Sequence, residues 1–267
     1  MIGVAAGGKV ILFGEHAVVH GRPALALGIP RALVAESIIR TDDRIAVRVP
    51  EWGLDATGGD PGPVGEAIRR IAAAVPGRGG CEITARARIP AASGLGGSAA
   101  AAVLLARALA GRRGSPGDDE SIRLAAHEGE KAVHGSPSGV DDAVATFGGL
   151  CLFRGSGVAA GDLAGVPFAR LAPVLARVGA PAPRLVVGHT GVARSTADLV
   201  AGVRARREAD PAGVEALFDA IEAALRAGLL AIRDGDPGRL GAALDRNQEA
   251  LASLGVSSPA IERMLAI

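Results

Sequence analysis

The stretch that most limits what this chain can become is CEITARARIPAASGLGGSAAAAVLLARALAG, residues 81–111. Its first nine residues alternate, with Cys81, Ile83, Ala85, Ala87 and Ile89 on one face and Glu82, Thr84, Arg86 and Arg88 on the other. That is the period of a strand with one side on a core and the other in polar surroundings. The strand runs through a glycine loop into an alanine- and leucine-rich helix expected from about Ser98 to Ala110. A helix opened by glycines leaves its first backbone N–H groups without partners, and these can hold an anion, phosphate being the natural guest. The same glycines have a second use, which is to let the helix pack closely on the strand with Ser98 as its N-cap.

Two familiar nucleotide loops can be tested against this one. No Gly-Lys-Ser/Thr ending is present, so it is not a Walker A loop. Gly94, Gly96 and Ala99 do satisfy the relaxed dinucleotide pattern. A dinucleotide fold, however, needs a strand after the helix, closing on an acidic residue for the ribose. Here a turn-rich loop, GRRGSPGDD, and a second helix, ESIRLAAHEGEKAV, follow instead. The dinucleotide reading fails on context.

The second helix leads into HEGEKAVHGSPSGVDDAV. Lys131 stands where a zinc-protease motif would need its second histidine, so that reading falls too. Glu130 comes late in the helix, and the turn HGSPSG then reverses the chain into another helix near Ser138. Ser138 and Asp141 have capping-box spacing, which offers Asp141 a purely structural employment. Near the start, GKVILFGEHAVVHG sets Lys9, Glu15, His16 and His20 among apolar residues and glycines. Lys9 and Lys131 are the only lysines, the remainder of the 29 basic residues being arginine, which suggests that a compact ammonium is wanted where lysine is kept. A phosphate-type loop, Ser98 and Glu130 as oxygen donors suited to Mg²⁺, Asp141 as a candidate base and an early lysine form the inventory of phosphoryl transfer. They point to a small-molecule kinase.

Composition narrows the setting. A chain of 267 residues exceeds the usual single-core size, so one large or two medium domains are expected. Hydrophobic residues make up 49% and charged residues 21%, as in a soluble globular protein. The net charge is +1 with no extended basic block, which gives no electrostatic case for nucleic acid or an acidic membrane surface. Cys81 and Cys151 lie far apart and outside any partner motif, so neither a disulfide framework nor a zinc site is indicated and a cytoplasmic location is expected. Lys9 and Glu15 come too early for a secretory signal, and AAAAVLLARALAG, interrupted by Arg107, is too short to span a bilayer.

Along the rest of the chain, KVILFG, ALVAESIIR and PAPRLVVGHTG read as strands, the last ending in a polar loop. STADLVAGVRARRE, GVEALFDAIEAALRAGLLAI and RLGAALDRNQEALASLG show helical spacing. A boundary near residue 165 is expected, giving domains 1–165 and 166–267.

Three stretches, GKVILFGEHAVVHG, PAASGLGGSAAA and HGSPSGVDDAV, resemble the GHMP kinase family. Within it they resemble the branch that phosphorylates mevalonate, since galactokinases typically continue Gly-Glu-His with Thr-Asp where this chain has Ala-Val-Val. The similarity extends from about residue 7 to the helix near residue 200. It implies an α+β fold of two-layer α/β sandwich domains, the first binding nucleotide, with ATP and Mg²⁺ as cofactors and mevalonate as acceptor. Asp141 would accept the proton of the C5 hydroxyl or fix its orientation, and Lys9 would lower that hydroxyl's pKa and neutralise charge on the moving phosphoryl. Ser98 and Glu130 would hold Mg²⁺. Pro90, Ala92, Ser93, Gly94, Leu95, Gly96, Gly97 and Ser98 would form the loop that binds the ATP phosphates, the backbone from Gly94 to Ser98 wrapping them. Glu15 and His16 would line the mevalonate pocket, His16 having the alternative of a satisfied core histidine. His20 reads as a cap on the turn before Gly21. HTGVARSTADLV resembles a later substrate segment, in which Arg194 and Thr196 would meet mevalonate, the guanidinium gripping its carboxylate; the alternative is an exposed arginine before a helix capped by Ser195 or Thr196.

The family's third glycine-rich element, in its C-terminal domain, has no counterpart before Ile267. An incomplete C-terminal domain is therefore expected, with a sheet edge that a second copy could cover in a homodimer. This keeps two alternatives open: another GHMP kinase acting on phosphomevalonate, homoserine or a sugar, and a nucleotide-binding remnant without turnover.

Overall fold

The computed structural model describes residues 2–77, 79–112, 117–153, 168–172, 175–178, 184–192 and 196–266. The chain forms two compact units, one made of Met1–Val10 with Gly28–Gly148 and the other of Ile11–Leu27 with Gly149–Ile267.

The first unit contains the start of β1 (Ile2–Phe13), most of β2 (Ala24–Ile39), then β3 (Ile45–Val49), β4 (Leu54–Thr57), α1 (Pro63–Ala74), β5 (Cys81–Ala87), α2 (Gly97–Gly111), α3 (Asp119–His134) and α4 (Val140–Phe147). Its sheet runs β4-β3-β5-β2, with β1 paired to β2. β3 lies antiparallel to β4 (Val47 opposite Ala56) and parallel to β5 (Val47 opposite Ile83). A parallel pair needs a crossover, and here β4 and α1 supply it. β5 meets β2 antiparallel, Ala85 opposite Ala35.

The alternation of β5 holds: Cys81, Ile83 and Ala85 are buried, whereas Thr84 and Arg86 are exposed. The buried face joins Leu33, Val47 and Val49 of the sheet to Leu104, Leu105 and Leu109 of α2 in one core. On the polar face, Arg48 Nη1 donates to Glu82 (2.8 Å) and its Nε to Asp55 (3.2 Å), so ion pairs cross the strands. The result is a two-layer α/β sandwich, as the strand and helix order implies. The α3 N-cap is Asp118, which accepts from the Ser121 N–H (2.9 Å); acidic residues follow in the first turn, and Lys131 and His134 stand in the last.

The second unit takes the end of β1, the loop after it and the first residues of β2, where Ala24–Leu27 pair antiparallel with β6 (Leu150–Phe153). β7 (Phe168–Ala172) and β8 (Leu175–Val178) extend this sheet in the order β2-β6-β8-β7. The helices are α5 (Thr196–Ala209), α6 (Pro211–Asp234), α7 (Pro237–Leu254) and α8 (Pro259–Leu265). Asp210, Asp236 and Ser258 cap the last three, each followed by a proline at the first helical position. Val203, Val214, Phe218, Ile221, Leu251 and Leu254 form the core, and Ala17 of the early segment belongs to it. Gly228 of α6 faces the Phe13 ring so closely that a Cβ would lie 2.4 Å from it. Arg22 fastens the same early segment to α6 through Glu215 (2.9 Å), Asp219 (2.7 Å) and Glu222 (3.3 Å).

One expected strand is absent. Residues 184–192 form no regular element, and Val186 is fully exposed. A short apolar run becomes a strand only where a sheet edge receives it, and none does so here among the described residues. Nor, among those residues, is any helix long and apolar enough to cross a membrane.

Candidate active site

The site in the first unit starts from two glycines. Gly7 and Gly8 precede Lys9 in β1 and leave no side chains in the way of what approaches. A Cβ on Gly7 would stand 3.0 Å from the Ala145 carbonyl oxygen of α4, and one on Gly8 would stand 2.7 Å from the Leu95 carbonyl oxygen of the glycine loop. The loop therefore closes on the strand, and the Lys9 backbone N–H donates to that Leu95 oxygen (2.9 Å).

Pro90 to Gly97 form the loop. Ser93 Oγ donates to the Pro90 carbonyl (2.8 Å), and Ala92, Gly94 and Gly96 take left-handed backbone angles (φ 51°, 77° and 75°). Gly96 is needed twice, for that angle and because a Cβ would meet Lys9 Cγ at 2.9 Å. Gly96 is also the N-cap of α2, and no side chain caps that end. Ser98 is thus not the cap: it lies inside the first turn, and its Oγ donates to Glu130 Oε2 (3.3 Å) and lies 3.2 Å from His134 Nε2.

Glu130 projects from α3 and is 2% exposed. Burial, aided by the nearby Asp141 carboxylate, pushes its carboxyl up to about 7, against the opposing pull of Ser98 and Lys9. Asp141 occupies the first turn of α4, where the helix dipole favours a carboxylate. It is not engaged in a capping box, because the N-cap is Gly139 and Ser138 Oγ accepts from Val140 N–H (3.3 Å). Its Oδ1 instead sits 3.2 Å from Lys9 Nζ. Behind it, wholly buried Asp142 accepts from Arg123 Nη1 (3.4 Å) and lies 3.3 Å from His127 Nδ1, tying α4 to α3. Burial raises the Asp142 carboxyl, while His127 and Arg123 pull it back.

Beside the loop opens a cavity of about 220 Å³. Ser98 and Glu130 supply its polar lining, and Ala92, Trp52, Ile68 and Leu105 among others are apolar. The Trp52 indole N–H already donates to the Ile89 carbonyl (3.0 Å).

Lys9, the glycine loop, Ser98, Glu130 and Asp141 thus lie together. Glu15 and His16 belong to the second unit. There Asn247 Nδ2 donates to Glu15 Oε2 (3.5 Å), and His16 holds a left-handed backbone (φ 62°) at the head of a 3-10 turn, Ala17–His20. His20 is a packing residue, stacked on Phe218 with ring centroids 5.1 Å apart. Thr196 begins α5, and Arg194 lies outside the described residues.

Sequence reading gave no role to His134, Asp142 or Trp52. For His134 a signal existed, since it opens the HGSPSG turn just after Glu130, one helical turn away. The Gly7–Gly8 pair before the lysine was an equally visible sign of close backbone approach.

Comparison with known proteins identifies the family. Residues 63–149 match the profile of the GHMP kinases N terminal domain. The chain is 36% identical to the mevalonate kinase of Archaeoglobus fulgidus over 267 residues, which cover 98% of this chain and 83% of that protein. It is 33% identical to the mevalonate kinase of Aeropyrum pernix over 276 residues, or 98% of this chain and 79% of that one. The crystal structure of L. major mevalonate kinase in complex with R-mevalonate matches with a TM-score of 0.73 at 27% identity, covering 97% of this chain and 77% of that one. The chain belongs to the GHMP kinase family, among its mevalonate kinases.

Proposed function

We propose that this chain transfers the γ-phosphoryl group of ATP to the C5 hydroxyl of mevalonate, giving 5-phosphomevalonate and ADP, in the cytoplasm. The observation that carries the proposal is the Lys9–Asp141 pair at 3.2 Å, set beside the uncapped start of α2.

The N–H groups from Gly94 to Ser98 bind the nucleotide phosphates, and the apolar cavity beside them takes the base against Trp52. Asp141 Oδ1 orients the acceptor hydroxyl and receives its proton as the oxygen–phosphorus bond forms. Lys9 lowers the pKa of that hydroxyl and balances charge on the transferring group. Ser98 and Glu130 suit Mg²⁺ in donor chemistry, a hydroxyl and one carboxylate of hard oxygen, because this ion is typically held by one or two carboxylates together with substrate phosphates. A Mg²⁺ ion held by these two residues would neutralise charge on the nucleotide phosphates. Glu15, His16, Arg194 and Thr196 would bind mevalonate, Arg194 through the carboxylate.

The test is ATP-dependent phosphorylation of mevalonate by the 267-residue chain, with galactose, homoserine and phosphomevalonate as controls. Turnover on mevalonate alone is expected. Turnover on a control instead would overturn the substrate, and no turnover despite bound ATP would leave a binding remnant.

A further inference from the structure

An arginine stands in the middle of the alanine- and leucine-rich helix α2. Nearly every neighbour of Arg107 along this helix is buried, and a guanidinium in such a place must find partners for its donors. It finds three, on three different elements. Nη1 donates to the Ala5 carbonyl of β1 (2.7 Å), and Nη2 donates to the Thr146 carbonyl of α4 (2.9 Å) and to Asp119 Oδ1 at the start of α3 (3.0 Å). Together with α2 itself, these are the elements that carry Lys9, Asp141, Glu130 and Ser98.

We infer that Arg107 is a positioning residue that fixes Lys9 and Asp141 relative to each other from behind the site. The inference rests on the proposed phosphoryl-transfer reading of that pair. Ala5 lies four residues before Lys9, about 13 Å along an extended strand, and Thr146 lies five residues after Asp141, about 7–8 Å along a helix. One guanidinium thus holds the far ends of the two segments whose near ends form the Lys9–Asp141 pair.

The Lys9–Asp141 ion pair joins β1 to α4 at the site, and the Arg107 fork joins the same two elements at their other ends. Their contact runs past Gly7, which has no side chain to key into the helix. The ties from Asp142 to Arg123 and His127 join α4 to α3 rather than to β1. Thr146 is also in the last turn of α4, where carbonyls lack intrahelical partners and a cation is favoured. The planar fork serves two carbonyls in a fixed geometry, which a lysine ammonium at the same place does not reproduce.

The experiment compares Arg107→Lys and Arg107→Met in the full chain by steady-state kinetics and thermal unfolding, alone and in a Lys9→Met background. A small misplacement of reacting groups is costly, so kcat should fall about tenfold to hundredfold in Arg107→Met while KM for ATP changes less than about threefold. In the Lys9→Met background the same substitution should lower kcat by less than about threefold, because the clamp acts through that pair. Added guanidinium should restore part of the loss in Arg107→Met and none in Lys9→Met. Unchanged kcat in folded Arg107 variants, or the same fall in both backgrounds, would overturn the inference. If Arg107→Met loses its cooperative unfolding transition, Arg107→Lys, which keeps a cation at the end of α4, carries the comparison. Full activity of Asp141→Asn is a separate outcome that would overturn the phosphoryl-transfer reading itself.

Discussion

Glu130 sits in the first unit with its carboxyl pushed from 4.5 up to about 7, and this has a consequence for folding. An acid that holds its proton more tightly when folded stabilises the fold only while protonated. The cost of ionisation is absent below about 4.5, grows as pH rises, and is complete above about 7. Glu130→Gln should therefore flatten the pH dependence in this window and raise stability at pH 8 by on the order of 3 kcal/mol at most, as read by urea unfolding of metal-free protein at pH 5 and 8. Asp141→Asn should lower phosphorylation by at least about a thousandfold while isothermal titration still detects ATP. Among residues, Lys9, Ser98, Glu130 and Asp141 could be singled out because each stands in a short motif whose chemistry restricts the residue type, although the motifs lie far apart in sequence and only the fold brings Lys9 to Asp141 and Ser98 to Glu130. Arg107 was visible only as an interruption of an apolar helix, since its partners Ala5 and Thr146 offer backbone carbonyls, which any residue would offer.

At the scale of elements, close approach decides which substitutions are tolerated. Gly228 of α6 faces Phe13, whose ring is fully buried and cannot retreat. Gly228→Ala gains about 1 kcal/mol of helix propensity and loses about 1–3 kcal/mol to overpacking. The net loss of about 0–2 kcal/mol should lower the melting temperature by a few degrees at most in a calorimetric comparison, with kcat unaltered at 25 °C. Gly96→Ala should act differently: with φ at 75° and Lys9 Cγ at 2.9 Å, the new methyl group strains the loop and displaces the lysine, so kcat should fall about tenfold or more. The strand β5 and the pair α2–α3 were readable from period and glycine punctuation alone. PAPRLVVGHTG was not, because its apolar run resembles a strand in composition and only the sheet can say whether an edge is there to receive it.

For the whole molecule, the two units share the chain in alternation: residues 11–27 belong with 149–267. No local signal marks this, since the segment is a turn with the adjoining ends of two strands, β1 and β2, that both begin or continue in the first unit. It leaves Phe13, Ala17 and Arg22 with partners that lie some two hundred residues further on. The fragment 149–267, expressed alone, should show no cooperative unfolding in urea, and appending 11–27 to it should restore a transition; a sharp transition without the segment would show that its contacts are dispensable. On the ribosome the same arrangement becomes a matter of timing. The first unit has all its residues once Gly148 has emerged, whereas the core that Ala17 joins is complete only when α7 has been made, roughly 5–20 s later at ordinary translation rates. Throughout that interval the nascent chain carries Phe13, Ala17 and the Arg22 cation without the partners that bury or pair them, so the yield should depend on how fast the rest is synthesised.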